Sequence, residues 1–221
     1  MQHRFGESHA EISGLAAPPF DPMQACPSLT PMKPARGFTL IELMTTLAVA
    51  VVILTVGVPS FQELIKANTL NSQVNSFVAG INLTRSEAIK RSGRVSICKS
   101  STLTACTTSG GWEQGWIVFF DLMGSAGVID SGDTIIRTNG PAPGSVTIRG
   151  NFFLKDRITF LGSGIVEPNN GTIIFCDNRV QAFTADKAKA RAVVISKIGR
   201  VKTIKGNDSS LSSTITSCTP S

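Results

Sequence analysis

The residues that could do chemistry are few in this chain and unevenly placed. The sequence of 221 residues has no tyrosine, and both of its histidines, His3 and His9, lie among the first ten residues. This placement excludes a Ser/His/Asp or Cys/His catalytic set, and a histidine-bound metal, from the rest of the chain. We therefore expect no cofactor and no enzymatic activity.

Basic side chains near the C-terminus are the strongest candidates for binding chemistry. The net charge is +6, and seven Lys or Arg residues fall within residues 187–205, a segment with no Asp or Glu. Side chains two residues apart on a strand share a face, so Arg200 and Lys202 are expected to point the same way, with Lys197 just before their turn. No aromatic residue follows Phe183 to stack on bases, so this surface favours sequence-independent contact with phosphates. A solvated charged face is the alternative.

A long apolar segment, residues 38–58, contains a single charged residue, Glu42. A helix of this length spans roughly 30 Å, which is the thickness of the hydrocarbon core of a bilayer. Lys33 and Arg36 precede it, so this flank is expected to stay cytoplasmic and the rest of the chain to be exported. A cleaved secretory signal is the alternative, but the apolar run is longer than a typical signal core and has no small-x-small cleavage site at its end.

Glu42 is an unusual residue for such a segment. A carboxylate inside an apolar span costs on the order of 3 kcal/mol, so it is normally paired or functional. The alternative is that Glu42 reaches the headgroups and complements the helix dipole.

The elements that must position these residues can be inferred from periodicity. Apolar residues recur at steps of three and four over residues 59–92, which predicts an amphipathic helix that ends near Ser92 and Gly93, with the glycine as C-cap. Pro59 is the place where we expect the chain to kink as it leaves the membrane. Short β-branched or aromatic runs separated by turn residues then predict eight strands. These runs are residues 94–99, 115–120, 134–137, 145–149, 157–160, 172–176, 192–196 and 200–204. The pattern indicates the α+β class, with one long N-terminal helix packed on an antiparallel β-sheet head domain.

Four cysteines follow the apolar segment, in the part expected to be exported, so two disulfides are expected. Of the three possible pairings we favour Cys98 with Cys106 and Cys176 with Cys218. A four-cysteine zinc site is the alternative, but no CxxC spacing supports it.

Two further groups of residues have weaker signals. Asp121, Asp130 and Asp133 surround a glycine-rich loop that could offer oxygen ligands to calcium, but turn formation is the favoured interpretation. Trp112 and Trp116 are expected to pack against the helix rather than to bind a ligand.

The segment Arg36-Gly37-Phe38-Thr39-Leu40-Ile41-Glu42-Leu43 resembles the processing site of type IV prepilins and pseudopilins. The resemblance implies that a prepilin peptidase cuts between Gly37 and Phe38, that Phe38 becomes N-methylphenylalanine, and that Glu42 acts in filament assembly by neutralising the amino terminus of a neighbouring subunit. Residues 1–37 would then be the leader, which is long for this family, and Met32 is the suspected true start.

The run Gly111-Trp112-Glu113-Gln114-Gly115-Trp116-Ile117-Val118-Phe119-Phe120-Asp121 extends the resemblance to the head shared by FimT-type minor pilins and pseudopilin H of type II secretion. The family implies a pilin fold with a transmembrane helix over residues 38–58, an amphipathic helix over residues 59–92 and a β-rich head over residues 93–221. The expected location is the inner membrane, crossed once, with a periplasmic head, and then the pilus and cell surface.

The resemblance also implies partners and a function. These are prepilin peptidase, other pilins or pseudopilins and, as in FimT-type pilins, double-stranded DNA taken up in natural transformation. Matching residues place DNA binding on Arg200 and Lys202, with Lys197 and Lys205 in support. The alternative is a structural H-type pseudopilin of a type II secretion filament.

Overall fold

A computed structural model describes residues 37–122, 124–180, 187–209, 211 and 218. The expected leader lies outside these residues, except for Gly37. By its internal contacts the described part of the chain divides into two units, one that ends at Ala48 and one that begins at Val49.

The first element is helix α1 (Leu40–Arg91), which has 52 residues and continues through Pro59. Thr39 caps its N-terminus, because the Thr39 hydroxyl accepts a hydrogen bond from the backbone N–H of Glu42 at 3.2 Å. Part of α1 is long and apolar enough to cross a membrane, and the side chains of this part are not buried within the chain.

The end of α1 differs from the expectation. Ser92 adopts the left-handed conformation, with φ of 49°, whereas Gly93 does not. Gly93 serves another purpose, because a Cβ atom there would approach Cε2 of Phe120 to 2.8 Å. The glycine is therefore needed for space beside an aromatic ring and not for the turn that ends the helix.

The strands form two antiparallel sheets rather than one. The strands are β1 (Val95–Lys99), β2 (Trp116–Phe120), β3 (Thr134–Asn139), β4 (Val146–Gly150), β5 (Arg157–Phe160), β6 (Val166–Glu167), β7 (Gly171–Asp177), β8 (Arg191–Ile195) and β9 (Val201–Lys205). The first sheet has the order β3-β2-β1-β5-β6 and the second has the order β4-β7-β8-β9. All eight predicted strands are confirmed to within two residues at each end, whereas β6 was not predicted.

The main core lies between α1 and the two sheets. Phe77 of α1 is fully buried and makes edge-to-face contacts with Trp112, Trp116 and Phe175, at ring-centroid distances of 5.2, 6.2 and 5.5 Å. Aromatic pairs of this geometry add about 0.5–1.5 kcal/mol each beyond the burial of their area. The two tryptophans therefore pack against the helix, as expected, and the α+β class is confirmed.

The covered face of α1 is shorter than its amphipathic pattern. Leu70 and Val74 are buried, but Phe61, Leu64 and Ile65 are 62%, 54% and 49% exposed. The apolar period predicts which side chains share a face of a helix, but it does not predict how far the sheets extend along that face. Residues 61–65 therefore present apolar side chains that the described part of the chain leaves exposed.

Arg179, which follows β7, ties the head to α1. Its guanidinium pairs with the buried carboxylate of Asp177 at 2.6 Å and lies 3.7 Å from the carboxylate of Glu63 on α1. The hydrogen bond to Asp177 raises the pKa of Arg179 above its ordinary value. This residue therefore remains charged and holds the start of the covered part of α1.

Candidate functional site

The basic residues singled out in the sequence lie on the hairpin formed by β8 and β9. Their connection, residues 196–200, is closed by two backbone hydrogen bonds, from Ser196 N to the Arg200 carbonyl oxygen at 2.9 Å and from Gly199 N to the Ser196 carbonyl oxygen at 2.8 Å. The hydroxyl of Ser196 also accepts a hydrogen bond from the backbone N–H of Arg200 at 3.0 Å. Arg200 is thus held in the turn itself, one residue before β9 begins.

Gly199 allows this turn to pack closely on the rest of the head. It has a φ of +76°, which favours glycine. A Cβ atom at this position would collide with the carbonyl oxygen of Gly164 and would approach the Nε of Arg85 to 2.9 Å. Both the conformation and the available space therefore require glycine next to Arg200.

Arg85 of α1 holds the same turn from the helix side. Its Nη2 donates a hydrogen bond to the carbonyl oxygen of Ile198 at 3.1 Å. The Nε of Arg85 is buried without a partner in the described part of the chain. Burial of this nitrogen without a partner has a desolvation cost, and it leaves the guanidinium directed at the turn. We therefore interpret Arg85 as a residue that orients the turn and not as one that binds a ligand at the surface.

Arg200 and Lys202 remain available for binding. Both are exposed, and within the described ranges neither has a carboxylate within ion-pair distance. Unpaired cations on a rigid hairpin present positive charge without the cost of first breaking an internal salt bridge.

Lys197 and Lys205 are placed differently. The ammonium group of Lys197 forms a hydrogen bond with the carbonyl oxygen of Pro168. Lys205 lies opposite Arg191 in the β8–β9 register, at the far end of β9 from the turn. Because residues three apart on a strand lie on opposite faces, Lys205 does not share the face of Lys202.

The second sheet has two different faces. Ile173, Phe175 and Val193 belong to the main core, whereas Ile174 and Cys176 belong to a separate apolar cluster on what we call the outer face. Register and alternation place Lys202 on this outer face, opposite Val194. Leu211 and Cys218 of the C-terminal segment pack on the same cluster, so part of the outer face is covered there.

Disulfides join Cys98 to Cys106 and Cys176 to Cys218, which is the favoured pairing. The first closes a short loop after β1, and the second fixes the C-terminal segment to β7. The hydroxyl of Thr147 on β4 also donates to the carbonyl oxygen of Cys218 at 3.1 Å.

The loop closed by Cys98 and Cys106 is organised around a buried lysine. The ammonium group of Lys99 lies 2.9 Å from the carbonyl oxygen of Thr108, 2.7 Å from that of Gly110 and 2.7 Å from the carboxylate of Asp156. The buried ammonium group thus has three oxygen neighbours, two through hydrogen bonds and one through an ion pair, and this compensates for the cost of burying its charge.

The aspartates of the glycine-rich loop form turns, as favoured. Asp121 accepts a hydrogen bond from Gly127 N at 2.7 Å, and Asp133 accepts bonds from Leu122 N at 2.9 Å and Asp130 N at 2.8 Å. Asp121 also pairs with Arg94 at 2.6 Å. These oxygens therefore have partners within the protein.

Sequence reasoning missed three residues of the site region. The spacing Thr39-x-x-Glu42 is a signal for a capped helix start, and it could have identified Thr39. No local signal identifies Arg85 or Lys99, because their partners lie in other elements.

At the N-terminus, Gly37 and Phe38 precede α1, and Phe38 is 85% exposed. Glu42 lies in the first turn of the helix and is exposed. A processing motif directly before a long apolar helix, followed by a head of antiparallel sheets, defines the class of type IV pilin-like minor pilins and pseudopilins.

Comparison with known families agrees with this class. The family model described as Type II transport protein GspH matches residues 73–199, which is more than half of the chain, so the protein belongs to this family. The model of the prokaryotic N-terminal methylation motif matches residues 32–58. The motif implies processing by prepilin peptidase and assembly with other pilins, and proteins of this family are structural subunits.

The solved structures similar to this chain include two different proteins. The type IV minor pilin FimU of Pseudomonas aeruginosa has 19% sequence identity and a TM-score of 0.47 over 67% of this chain and 95% of that one. The minor pseudopilin EpsH of the Vibrio cholerae type 2 secretion system has 12% identity and a TM-score of 0.42 over 62% of this chain and 98% of that one. No curated protein matches the sequence.

Proposed function

We propose that this chain is a minor pilin of a type IV pilus that binds double-stranded DNA through Arg200 and Lys202 for natural transformation. The observation that carries the proposal is a pair of exposed cations without a carboxylate partner in the described ranges: Arg200 lies in the turn that Gly199 and Arg85 hold in place, and Lys202 lies at the start of β9. Lys197 and Lys205 add positive potential from the two ends of the hairpin region. The contacts are to phosphates, so binding does not depend on base sequence.

We also propose how the N-terminal segment is processed and how the chain is oriented in the membrane. Prepilin peptidase cuts between Gly37 and Phe38 and methylates Phe38, residues 38–58 anchor the chain in the inner membrane, and the head lies in the periplasm before it enters the pilus. Glu42 is then the fifth residue of the mature chain, and its carboxylate can pair with the amino terminus of a neighbouring subunit. Mass spectrometry of the membrane-extracted chain tests this, because an intact N-terminus or a cut beyond residue 58 would contradict it.

The DNA-binding test uses the detergent-solubilised full chain and a labelled 30-base-pair duplex over a series of salt concentrations. If three or four phosphates are contacted, log affinity should fall with log salt at a slope of about −2 to −4. The double variant Arg200→Gln plus Lys202→Gln should weaken binding about tenfold or more and reduce the slope by about two.

Two control variants sharpen the test. Lys66→Gln plus Arg137→Gln removes the same charge elsewhere on the described surface and should leave affinity nearly unchanged. Arg200→Lys plus Lys202→Arg keeps the charge and should keep binding. Unchanged affinity in the Gln variant of the turn, with wild-type binding present, would refute the assignment to this turn.

The family match favours a second candidate function, that of an H-type pseudopilin in a type II secretion filament. In that function the partners are other pseudopilins, and the basic turn is a solvated surface. Deletion of the gene in its own organism separates the two: loss of protein secretion with normal DNA uptake favours the pseudopilin.

A further inference from the structure

The end of β4 carries an exposed aromatic pair. Phe152 is 84% exposed and Phe153 is 42% exposed, and their rings meet edge to face with centroids 5.5 Å apart. Leaving a whole phenyl ring in water forgoes the roughly 1.5–3 kcal/mol that its burial would contribute. A ring in this position is therefore a candidate contact for a partner.

A rigid element holds these rings. They lie on a short 3-10 helix, Phe152–Leu154, whose start is capped by Asn151, the side chain of which accepts a hydrogen bond from Leu154 N at 3.3 Å. Leu154 is fully buried, and its carbonyl oxygen accepts a hydrogen bond from the indole N–H of the buried Trp112 at 3.0 Å. The backbone below Phe152 is thus fixed, and little order must be gained when a flat ligand stacks on the ring.

The charge beside the aromatic pair favours a polyanion. Lys155 is exposed and has no carboxylate partner in the described ranges, whereas Glu113 is paired with Arg149 and Asp156 with Lys99. Lys155 and Arg149 line a cleft of about 90 Å³ together with the backbone of Gly110 and Gly111. Among the described residues, the carboxylates of Glu113 and Asp156 are thus paired within the protein, whereas the charge of Lys155 is not.

Asn151, the residue before Phe152, lies in one cross-strand row with Lys202 of β9. Asn151 N donates to the Thr172 carbonyl oxygen at 2.9 Å, Thr172 pairs with Val194, and Val194 pairs with Lys202. Three strand-to-strand steps amount to about 14 Å. At about 3.4 Å per step between nucleotides, a stacked strand of five or more nucleotides would cover the distance from Asn151, next to Phe152, to Lys202.

We propose that Phe152 and Lys155 form a binding site for single-stranded DNA, in which an unpaired base stacks on the Phe152 ring and Lys155 contacts an adjacent phosphate. The inference rests on the proposed DNA binding and deepens it, because a phenyl ring offers a surface that every base can use and a duplex cannot. The duplex contacts only the basic turn, whereas the single strand contacts both places.

The test compares labelled (dT)30 with a 30-base-pair duplex on the detergent-solubilised full chain, at equal salt. Phe152→Ala should weaken (dT)30 binding roughly 5- to 100-fold and change duplex binding less than twofold. Phe152→Trp should restore binding, and Phe152→Leu, which keeps the apolar contact without the ring, should not. Since Phe152 is exposed, an unchanged melting curve is the check on folding.

A second measurement reads the site directly. Trp112 and Trp116 are buried, so the indole in Phe152→Trp is the exposed one among the described residues, and its fluorescence should be quenched by (dT)30 and not by inorganic phosphate. The inference is overturned if Phe152→Ala leaves (dT)30 binding unchanged or if Phe152→Leu binds like the wild type. It is also overturned if Phe152→Ala reduces cross-linking to other pilins and leaves DNA binding intact.

The two proposals fail in distinguishable ways. If the wild-type chain binds neither DNA, the proposed function fails and the inference fails with it. If the duplex is bound through Arg200 and Lys202 but Phe152→Ala has no effect on (dT)30, the inference alone fails.

Discussion

Arg85 of α1 donates from Nη2 to the carbonyl oxygen of Ile198 at 3.1 Å, across 113 residues of sequence. This bond joins the helix to the turn that carries Arg200. The turn is thus oriented by α1 and by the close approach of Gly199 to Gly164, as well as by its own hairpin. The backbone of Arg200 is therefore held at a fixed position relative to the helix, and its side chain extends from there into solvent.

Gly199→Ala tests this arrangement. Alanine is strained at a φ of +76° and would collide with the Gly164 backbone, so we expect a loss of about 2–4 kcal/mol in the free energy of unfolding. Duplex affinity should also fall, although Arg200 and Lys202 are unchanged. Thermal melting and binding of the same labelled duplex measure the two effects. Gly140→Ala is the matched control, because a Cβ atom there meets nothing within 4 Å; equal behaviour of the two variants would contradict the prediction.

Lys99→Met should destabilise the head by about 2–4 kcal/mol, because two carbonyl groups and the Asp156 carboxylate lose their buried cation. Lys155→Met, which changes an exposed neighbour, should have little effect on stability. The double variant Lys99→Met plus Asp156→Asn should recover part of the loss. Guanidinium unfolding followed by tryptophan fluorescence gives these free energies, and a fully stable Lys99→Met would contradict the role of the lysine.

Cys218→Ala should destabilise the head more than Cys106→Ala. The chain-entropy estimate is about 4 kcal/mol for a bridge with a sequence separation of 42 and about 2.5 kcal/mol for one of 8. Melting temperatures of the oxidised proteins test the order, and complete reduction should abolish the difference. The reverse order in the oxidised state would show that the C-terminal bridge adds little.

Glu87→Gln should reduce stability at neutral pH but not in acid. The hydrogen bond from Arg91 lowers the pKa of Glu87 below its ordinary value of 4.5, and Lys90 adds to this. A carboxylate whose pKa is lowered on folding stabilises the folded state at pH values above its ordinary pKa. This contribution to stability is lost as the pH falls through the lowered pKa. Melting temperatures of wild type and variant should therefore differ at pH 7 and converge in acid, once the pH has fallen below the lowered pKa of Glu87. A difference that persists in acid would point to packing instead.

The sequence predicts the strands well because their β-branched runs are separated by clear turn residues. It does not predict β6, which has two residues and is defined by its pairing with β5. It also does not predict two sheets, because the number of sheets depends on which strands pair, and that is decided by packing on α1.

In the candidate sites, too, local sequence patterns predict some residues, whereas contacts between distant segments are not predicted. Phe38, Glu42 and the basic hairpin can be read from local patterns, whereas the Arg85 contact depends on distant chain segments. The residues after Phe183 include no aromatic side chain, so they predict no base-stacking surface. Phe152 becomes a candidate only because the sheet order brings the end of β4 into the same sheet as Lys202. Exposure of Phe61 likewise depends on where the sheets end.

The bridge from Cys176 to Cys218 has a practical consequence for imaging. A dye or small tag added after Ser221 would be three residues from a covalent attachment to a central strand of the second sheet. Such a label would report the position of the head itself in electron or fluorescence microscopy, with little added linker length.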